Sequence, residues 1–348
     1  MSESSTATSN PGAESLYRKT RRFLSPLRRR FVKNRYWRSR GNGPIVFLRY
    51  VIFSLWKRPH RVDAESVVKK LRSAGLAQAD IRGRHLSYVY RKLRHLNGSP
   101  VDSLPGLTIS NSHRDARGSV ESLWGVIVEP REHPLLEYVV NNVHSRLGIP
   151  IQIFHGASSR DYILASSIGS LIDKGDVVLS ELNVNTLLPS KILNGFHMLD
   201  EFWSSMEARK KILFFQTDSI VCKDSEYEIS DFLSYDYIGS KWRSRRPNYL
   251  LIHGGNGGFS IRDWSASVEC IHRFPPHLWE GAEDEYFAFH LPVMGCKVGN
   301  ELSCAKFATE EIFLTKSFGA HKIDRLPPDE LEAFLAYCPE AKRLIEVA

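Results

Sequence analysis

Cysteine is scarce. The five at positions 222, 270, 296, 304 and 338 contain no Cys-x-x-Cys pair and leave one over, which argues against a zinc ribbon or a disulfide-built scaffold. Long apolar runs are also missing. The stretch Pro44 to Trp56 is 13 residues with Arg49 inside it, and as a helix it would reach only about 20 Å, short of a hydrocarbon core of about 30 Å. Met1 to Ala13 is polar and Ser-rich, so a cleaved signal peptide is not expected. The chain contains no Gly-x-Ser-x-Gly, no His-Glu-x-x-His, no P-loop and no kinase signature set, which sets aside the commonest hydrolase, metalloprotease and kinase readings.

One absence is local. From Ser15 to Val62 there is no acidic residue, while 15 Lys and Arg lie between Arg18 and Arg61, so residues 63–348 carry −5 of a chain whose net charge is +8. A basic arm of this kind attracts nucleic-acid phosphates and anionic lipid headgroups alike. The body has no aromatic RNA-binding signature and no DNA-reading motif, so nucleic acid is the less favoured partner. Peripheral contact with an anionic membrane surface, assisted by Trp37, Phe47, Tyr50, Phe53 and Trp56, is weighed against a solvated tail whose apolar end packs on the body.

What is present is ordinary globular material: 348 residues, 42% hydrophobic and 25% charged. Val62 to Leu96 reads as helical, and Gly98 to Ser119 as a turn-rich linker. From Leu123 strand and helix signals alternate. Strands are expected over 124–129, 151–154, 177–179 and 211–215, with helices over 135–147 and 192–206 between them. This alternation implies a mostly parallel sheet flanked by helices, whose ligands bind beyond the carboxyl ends of the strands.

Four constellations fall where chemistry is expected. Gln216-Thr-Asp-Ser219 follows the strand 211–215, and Asp218 can either cap the next turn or hold a divalent cation against a diphosphate. His253-Gly-Gly-Asn-Gly-Gly-Phe-Ser-Ile-Arg262 reads as a glycine-rich loop, either a tight turn or a place where backbone approaches a ligand. Glu283-Asp-Glu285 opens a helical stretch, serving the helix dipole or supplying a general base. His321 is a structural histidine or a neutral imidazole for a metal.

The order of Trp124-Gly-Val-Ile-Val-Glu-Pro-Arg131, Ile151-Gln-Ile-Phe-His-Gly156, Phe202-Trp203, Phe214-Phe-Gln-Thr-Asp-Ser219, Tyr235-Asp-Tyr-Ile-Gly239, Gly255-Asn-Gly-Gly-Phe-Ser-Ile-Arg262 and Glu283-Asp-Glu285 resembles a domain family of unknown function grouped with glycosyltransferases of the A fold. The resemblance covers Leu123 to His321. It implies an α/β, Rossmann-like glycosyltransferase A-like fold and a nucleotide-sugar-dependent transferase acting on a glycan or other hydroxyl acceptor. Gln216 and Asp218 then stand in the place of the metal-binding Asp-x-Asp, with Gln216 replacing the first carboxylate. Asp218 and His321 would hold Mn2+ or Mg2+, and Glu283, Asp284 or Glu285 would supply the base. Gly255, Asn256, Gly257 and Gly258 would line the sugars, and Glu129 and Arg131 would lie near the nucleotide. The implied organisation is a basic arm over 1–62, a helical segment and linker over 63–119, a transferase-like domain over 120–325 and a helical tail over 326–348. The missing carboxylate keeps a non-catalytic carbohydrate-binding protein as the alternative.

The charge split yields a test of the arm. A chain beginning at Val62 should lose binding to anionic vesicles that the full-length protein shows, and full-length binding should weaken as salt shortens the Debye length from about 10 Å to about 3 Å. Co-sedimentation with vesicles at low and high salt measures both, and equal binding by the two chains would remove the anchor reading.

Overall fold

The structure, a computed structural model, describes residues 98–104, 106–111, 122–246 and 252–346. The basic arm, the apolar stretch 44–56 and the helix expected over 62–96 lie outside the described residues, as does part of the linker. In chain order the strands are β1 (Ile109–Asn111), β2 (Leu123–Val128), β3 (Ile151–Gly156), β4 (Val177–Leu182), β5 (Lys211–Phe215), β6 (Ser219–Val221), β7 (Tyr237–Arg246), β8 (Ile252–Asp263), β9 (Ala308–Thr309) and β10 (Gly319–His321). The helices are α1 (Leu136–Leu147), α2 (Arg160–Ala165), α3 (Ile168–Asp173), α4 (Ser190–Phe196), α5 (Asp200–Ser204), α6 (Trp264–Arg273), α7 (Glu283–Val293), α8 (Glu301–Phe307), α9 (Pro328–Tyr337) and α10 (Lys342–Glu346).

Seven strands form one sheet in the order β1-β4-β3-β2-β5-β8-β7. Strands β4, β3, β2 and β5 form a parallel block, and β1, β8 and β7 add antiparallel edges to it. This is the expected mixed, mostly parallel α/β sheet flanked by helices. Its strands read as nearly continuous apolar runs because both faces are covered. Along β5, Leu213 and Phe215 enter one buried cluster with α1, α3 and α9, while Ile212 and Phe214 enter a second with α4, α5 and α7. The two-residue period of a strand produces this division.

A smaller sheet in the order β6-β10-β9 sits where β5 ends. Its register pairs His321 with Ser219, distant in the chain, and Ala320 with the nearer Thr309. Among the described residues no helix is long and apolar enough to cross a membrane.

Two expectations are corrected. The helix foreseen over 192–206 is two short helices, α4 and α5, separated at His197 to Leu199. The break frees the His197 carbonyl, which accepts the Trp203 indole N–H at 2.9 Å. The glycine-rich segment 254–258 is not a loop between strands but part of β8. Between the pairs Gly239↔Ser260 and Ser240↔Asn256 the register slips, and Gly257, Gly258 and Phe259 bulge away from β7.

Trp203 ties α5 to the sheet and to α7, being fully buried against Phe202, Phe214 and Phe287. Trp203→Ala should cost about 3–5 kcal/mol of stability, measured by urea melts. A loss under about 1 kcal/mol would show that this face of the core can collapse around the gap.

Candidate active site

The carboxyl ends of β2 and β5 face a small cleft lined by Val128, His197, Phe214, Phe215, Gln216 and Gly257. Around it the chain sets three groups of polar residues, each held by a different piece of backbone.

The first group follows β5. Ser219 closes the turn: its N–H donates to the Gln216 carbonyl and its hydroxyl oxygen accepts the Gln216 N–H, both at 3.0 Å. Asp218 is therefore not needed to cap it. His321, brought alongside by β10 and almost fully buried, places Nε2 3.1 Å from Asp218 Oδ1 and 3.1 Å from Gln216 Oε1. The hydrogen bond goes to Gln216, so the buried Oδ1 of Asp218 has no hydrogen-bond partner among the described residues. Burial works against the charge on Asp218, but His321, with Lys322 behind it, holds its carboxyl down at about 2. On the far side of the ring, Nδ1 of His321 lies 3.7 Å from the buried Glu310, which is anchored by Ser240 at 2.6 Å and Arg325 at 3.1 Å.

These atoms suit a divalent cation. The Asp218 carboxylate oxygen and the Gln216 amide oxygen both lie 3.1 Å from His321 Nε2; for that nitrogen to ligate a cation, the ring proton would have to sit on Nδ1, 3.7 Å from the Glu310 carboxylate. Among the described residues there is no cluster of three or more His, Cys, Asp or Glu for a metal, so a cation here would need water or other ligands to complete its shell, as Mg2+ and Mn2+ permit.

The second group is at the start of α7 and its three acidic residues have separate fates. Glu283 is consumed by the fully buried Arg262, with contacts of 2.9 Å (Nη1–Oε2) and 3.2 Å (Nη2–Oε1). Arg262 itself is packed against the rings of Phe214, Phe287 and Tyr237. Burial opposes charge on Glu283, yet Arg262 holds its carboxyl at about 2, with His197 3.5 Å away adding to the effect. Asp284 has no such cation. Burial, and then the charges of Glu283 and Glu285, push its carboxyl up to about 8. Its oxygens accept the N–H of Glu285 at 2.7 Å and of Gly257 at 3.4 Å. Asp284 thus combines half-burial with a proton that leaves at about pH 8.

The glycines of β8 stand between these groups. A Cβ on Gly258 would lie 2.1 Å from His321 Nε2, and one on Gly257 2.2 Å from Glu283 Oε1. Gly255 has φ +113° and a Tyr237 ring against it, a conformation that L side chains rarely adopt. Asn256 spends its side-chain oxygen on the Gly258 N–H at 2.9 Å. An added Cβ at 257 or 258 would thus meet the protein's own side chains.

The third group lies on the β2–α1 connection. Glu129 and Arg131 pair bidentately at 2.7 Å on each arm, leaving the Arg131 side chain 44% exposed. His133, which no sequence motif had marked, accepts the Leu135 N–H at Nδ1 and turns Nε2 toward Thr217 Oγ1 at 3.4 Å. Arg262, His197 and Glu310 were also missed as site residues. Arg262 stood inside the β8 motif, which was the only signal available.

The model of a family described as protein of unknown function (DUF5672) matches residues 177–321. The match contains Gln216, Asp218, the β8 glycines, the three acidic residues of α7 and His321, whereas Glu129 and Arg131 precede it. No curated protein matches the chain. Among solved structures, a protein assigned as a glucose-1-phosphate thymidylyltransferase from Bacillus anthracis, in complex with sucrose, is 11% identical, with 51% of this chain and 86% of that one covered and a TM-score of 0.34. The mannosyltransferase PcManGT from Pyrobaculum calidifontis, in complex with GDP-Man and Mn2+, is 13% identical, with 72% of this chain and 67% of that one covered and a TM-score of 0.34.

The unequal roles of Glu283 and Asp284 can be separated by stability. Glu283→Gln leaves the Arg262 guanidinium buried without its counter-charge and should cost about 3–5 kcal/mol. Asp284→Asn should behave oppositely. The folded Asp284 keeps its proton up to about pH 8 while the unfolded one loses it near 4, so wild-type stability falls as pH rises between these values. The asparagine variant should match wild type near pH 4 and melt several degrees higher above pH 8. Parallel pH curves for the two proteins would contradict the raised value.

Proposed function

We propose that the protein is a glycosyltransferase that moves a sugar from a nucleotide-diphosphate donor to a hydroxyl acceptor, with Mn2+ or Mg2+ assisting. One observation carries the reading. Two consecutive residues of β8 touch both kinds of group that this chemistry needs: Gly258 lies against His321, beside the ionised Asp218, and Gly257 donates to Asp284. An oxygen site for a cation and diphosphate thus adjoins a carboxyl whose proton is exchangeable near neutral pH. A bound cation would offset the charge growing on the leaving diphosphate.

Within this reading Asp218, His321 and Gln216 hold the cation and the diphosphate. Asp284 accepts the proton of the acceptor hydroxyl, and its value near 8 lies close to the working pH that general base catalysis favours. Below that pH it is protonated and idle, so kcat/KM should rise with pH through about 8. Glu283 fixes Arg262 and, through its charge, raises Asp284. Glu285 contributes its backbone N–H and a further negative charge. Arg131, oriented by Glu129, and Lys322, whose backbone N–H donates to the Asp218 carbonyl at 3.2 Å, are the nearby cations for donor phosphates. A lectin-like protein of the same fold would have no use for a carboxyl tuned in this way. The basic segment 15–62 is assigned to an anionic membrane surface rather than to nucleic acid.

Asp218→Ala and Asp218→Asn should each lower turnover by at least a hundredfold while melting within a few degrees of wild type, because the half-buried carboxylate lies in the turn after β5, outside the apolar core. The measurement is transfer or donor hydrolysis with a panel of nucleotide sugars and MnCl2, alongside thermal unfolding. Turnover unchanged in both variants would discard the diphosphate assignment, and a panel without any donor that stabilises wild type would discard the reading itself.

A further inference from the structure

His133 makes two uses of one ring. It lies on the connection from β2 to α1, where its carbonyl accepts the Leu136 N–H at 3.0 Å and the Tyr162 hydroxyl at 3.2 Å. Its Nδ1 accepts the Leu135 N–H at 3.2 Å. This bond, from a side chain to the N–H two residues on, is the one that asparagine and aspartate make at turns. A shorter side chain would therefore close the entrance to α1 equally well, and half of the imidazole is left over.

That half faces the turn after β5. A ring nitrogen that accepts carries no proton, so the proton of the neutral imidazole sits on Nε2. The Nε2–H reaches Thr217 Oγ1 at 3.4 Å, beyond the roughly 2.7–3.2 Å of a good N–H···O bond. It is an underused donor. Thr217 stands between Gln216 and Asp218 in the chain, so this donor is one residue away from both oxygens assigned above to the cation. The surroundings are open to solvent. Arg131, Glu132 and Pro134 are exposed, His133 and Thr217 are half-buried, and the Asp218 side chain is 34% exposed.

We propose that His133 binds the diphosphate of the donor, its Nε2–H passing from Thr217 to a phosphate oxygen while Nδ1 stays on Leu135. The exchange is favourable because a charged phosphate oxygen accepts a stronger hydrogen bond than a hydroxyl does, and it releases the Thr217 oxygen from the ring. Because Nδ1 is held by backbone, the N–H is aimed before the ligand arrives. The proposal rests on the transferase reading above and adds to it an uncharged residue that holds the leaving group.

Two substitutions divide the ring between its roles. Asparagine puts a carbonyl oxygen where Nδ1 accepts but does not extend to Thr217, whereas glutamine carries an amide N–H as far as Nε2 and has no acceptor at the Nδ1 position. Wild type, His133→Asn and His133→Gln are compared as full-length proteins, by thermal unfolding without ligand and by calorimetry with UDP and with GDP in the presence of MnCl2. His133→Asn should melt within about two degrees of wild type and bind the nucleoside diphosphate about tenfold more weakly, the worth of one charge-assisted hydrogen bond. His133→Gln should melt a few degrees lower, having lost the turn bond, and keep its affinity within about threefold. Undiminished affinity in His133→Asn overturns the proposal and leaves the transferase reading standing. Equal losses of affinity in the two variants, or a loss in His133→Gln alone, also overturn it, because binding would then follow the packing of the ring or the stability of the turn. A wild type that binds neither diphosphate overturns the transferase reading, and this proposal with it.

Discussion

The ion pair between Arg262 and Glu283 joins the antiparallel strand β8 to the first turn of α7, and the placement of nearly every other group at the site follows from it. Both partners are buried, and the guanidinium is enclosed by Phe214, Tyr237 and Phe287. A charge in such surroundings is tolerated only when it is paired with good geometry. The pair also separates two adjacent carboxyls in their chemistry. Glu283 has the cation and stays ionised, whereas Asp284 faces its neighbours' negative charge and keeps its proton to about pH 8. Carboxyls whose environments drive their values apart divide naturally into a fixed charge and a proton carrier.

The other half of the site depends on strand register. Asp218 and His321 are distant in the chain, but β6 and β10 pair Ser219 with His321 and so set the imidazole against the carboxylate. The parallel pairing of β9 with β10 does the same for Glu310 on the other side of the ring. Between these neighbours and α7 runs the β8 bulge, whose backbone is thin enough to touch both.

Much of this was readable before any coordinates. The parallel block shows in the sequence because its strands are apolar on both faces and alternate with amphipathic helices. The acidic start of α7 and the polar turn after Phe215 stand where strand and helix ends were foreseen. The segment 254–258 is not legible as strand because glycine has low strand propensity, and nothing local reveals that β7 pairs with it. Ile192, Phe196, Leu199, Trp203 and Met206 fit one helical stripe, so the break at His197 carried no local sign; the carbonyl it frees is satisfied by the indole of Trp203, six residues further on. His197, His133 and Glu310 acquire meaning only from partners far away in sequence. For an isolated histidine or glutamate, periodicity has nothing to say.

The contact between Gly258 and His321 also bears on how this protein can vary. A methyl group at 258 would occupy the space of the imidazole, so no side chain can be gained there while the ring remains. The ring, by contrast, can be exchanged for something smaller without disturbing the strand. Substitution at the two positions is therefore ordered: 321 must change first, and 258 is free to follow. Among relatives of this chain, a residue other than glycine at the position of 258 would mark a protein that had already given up the histidine.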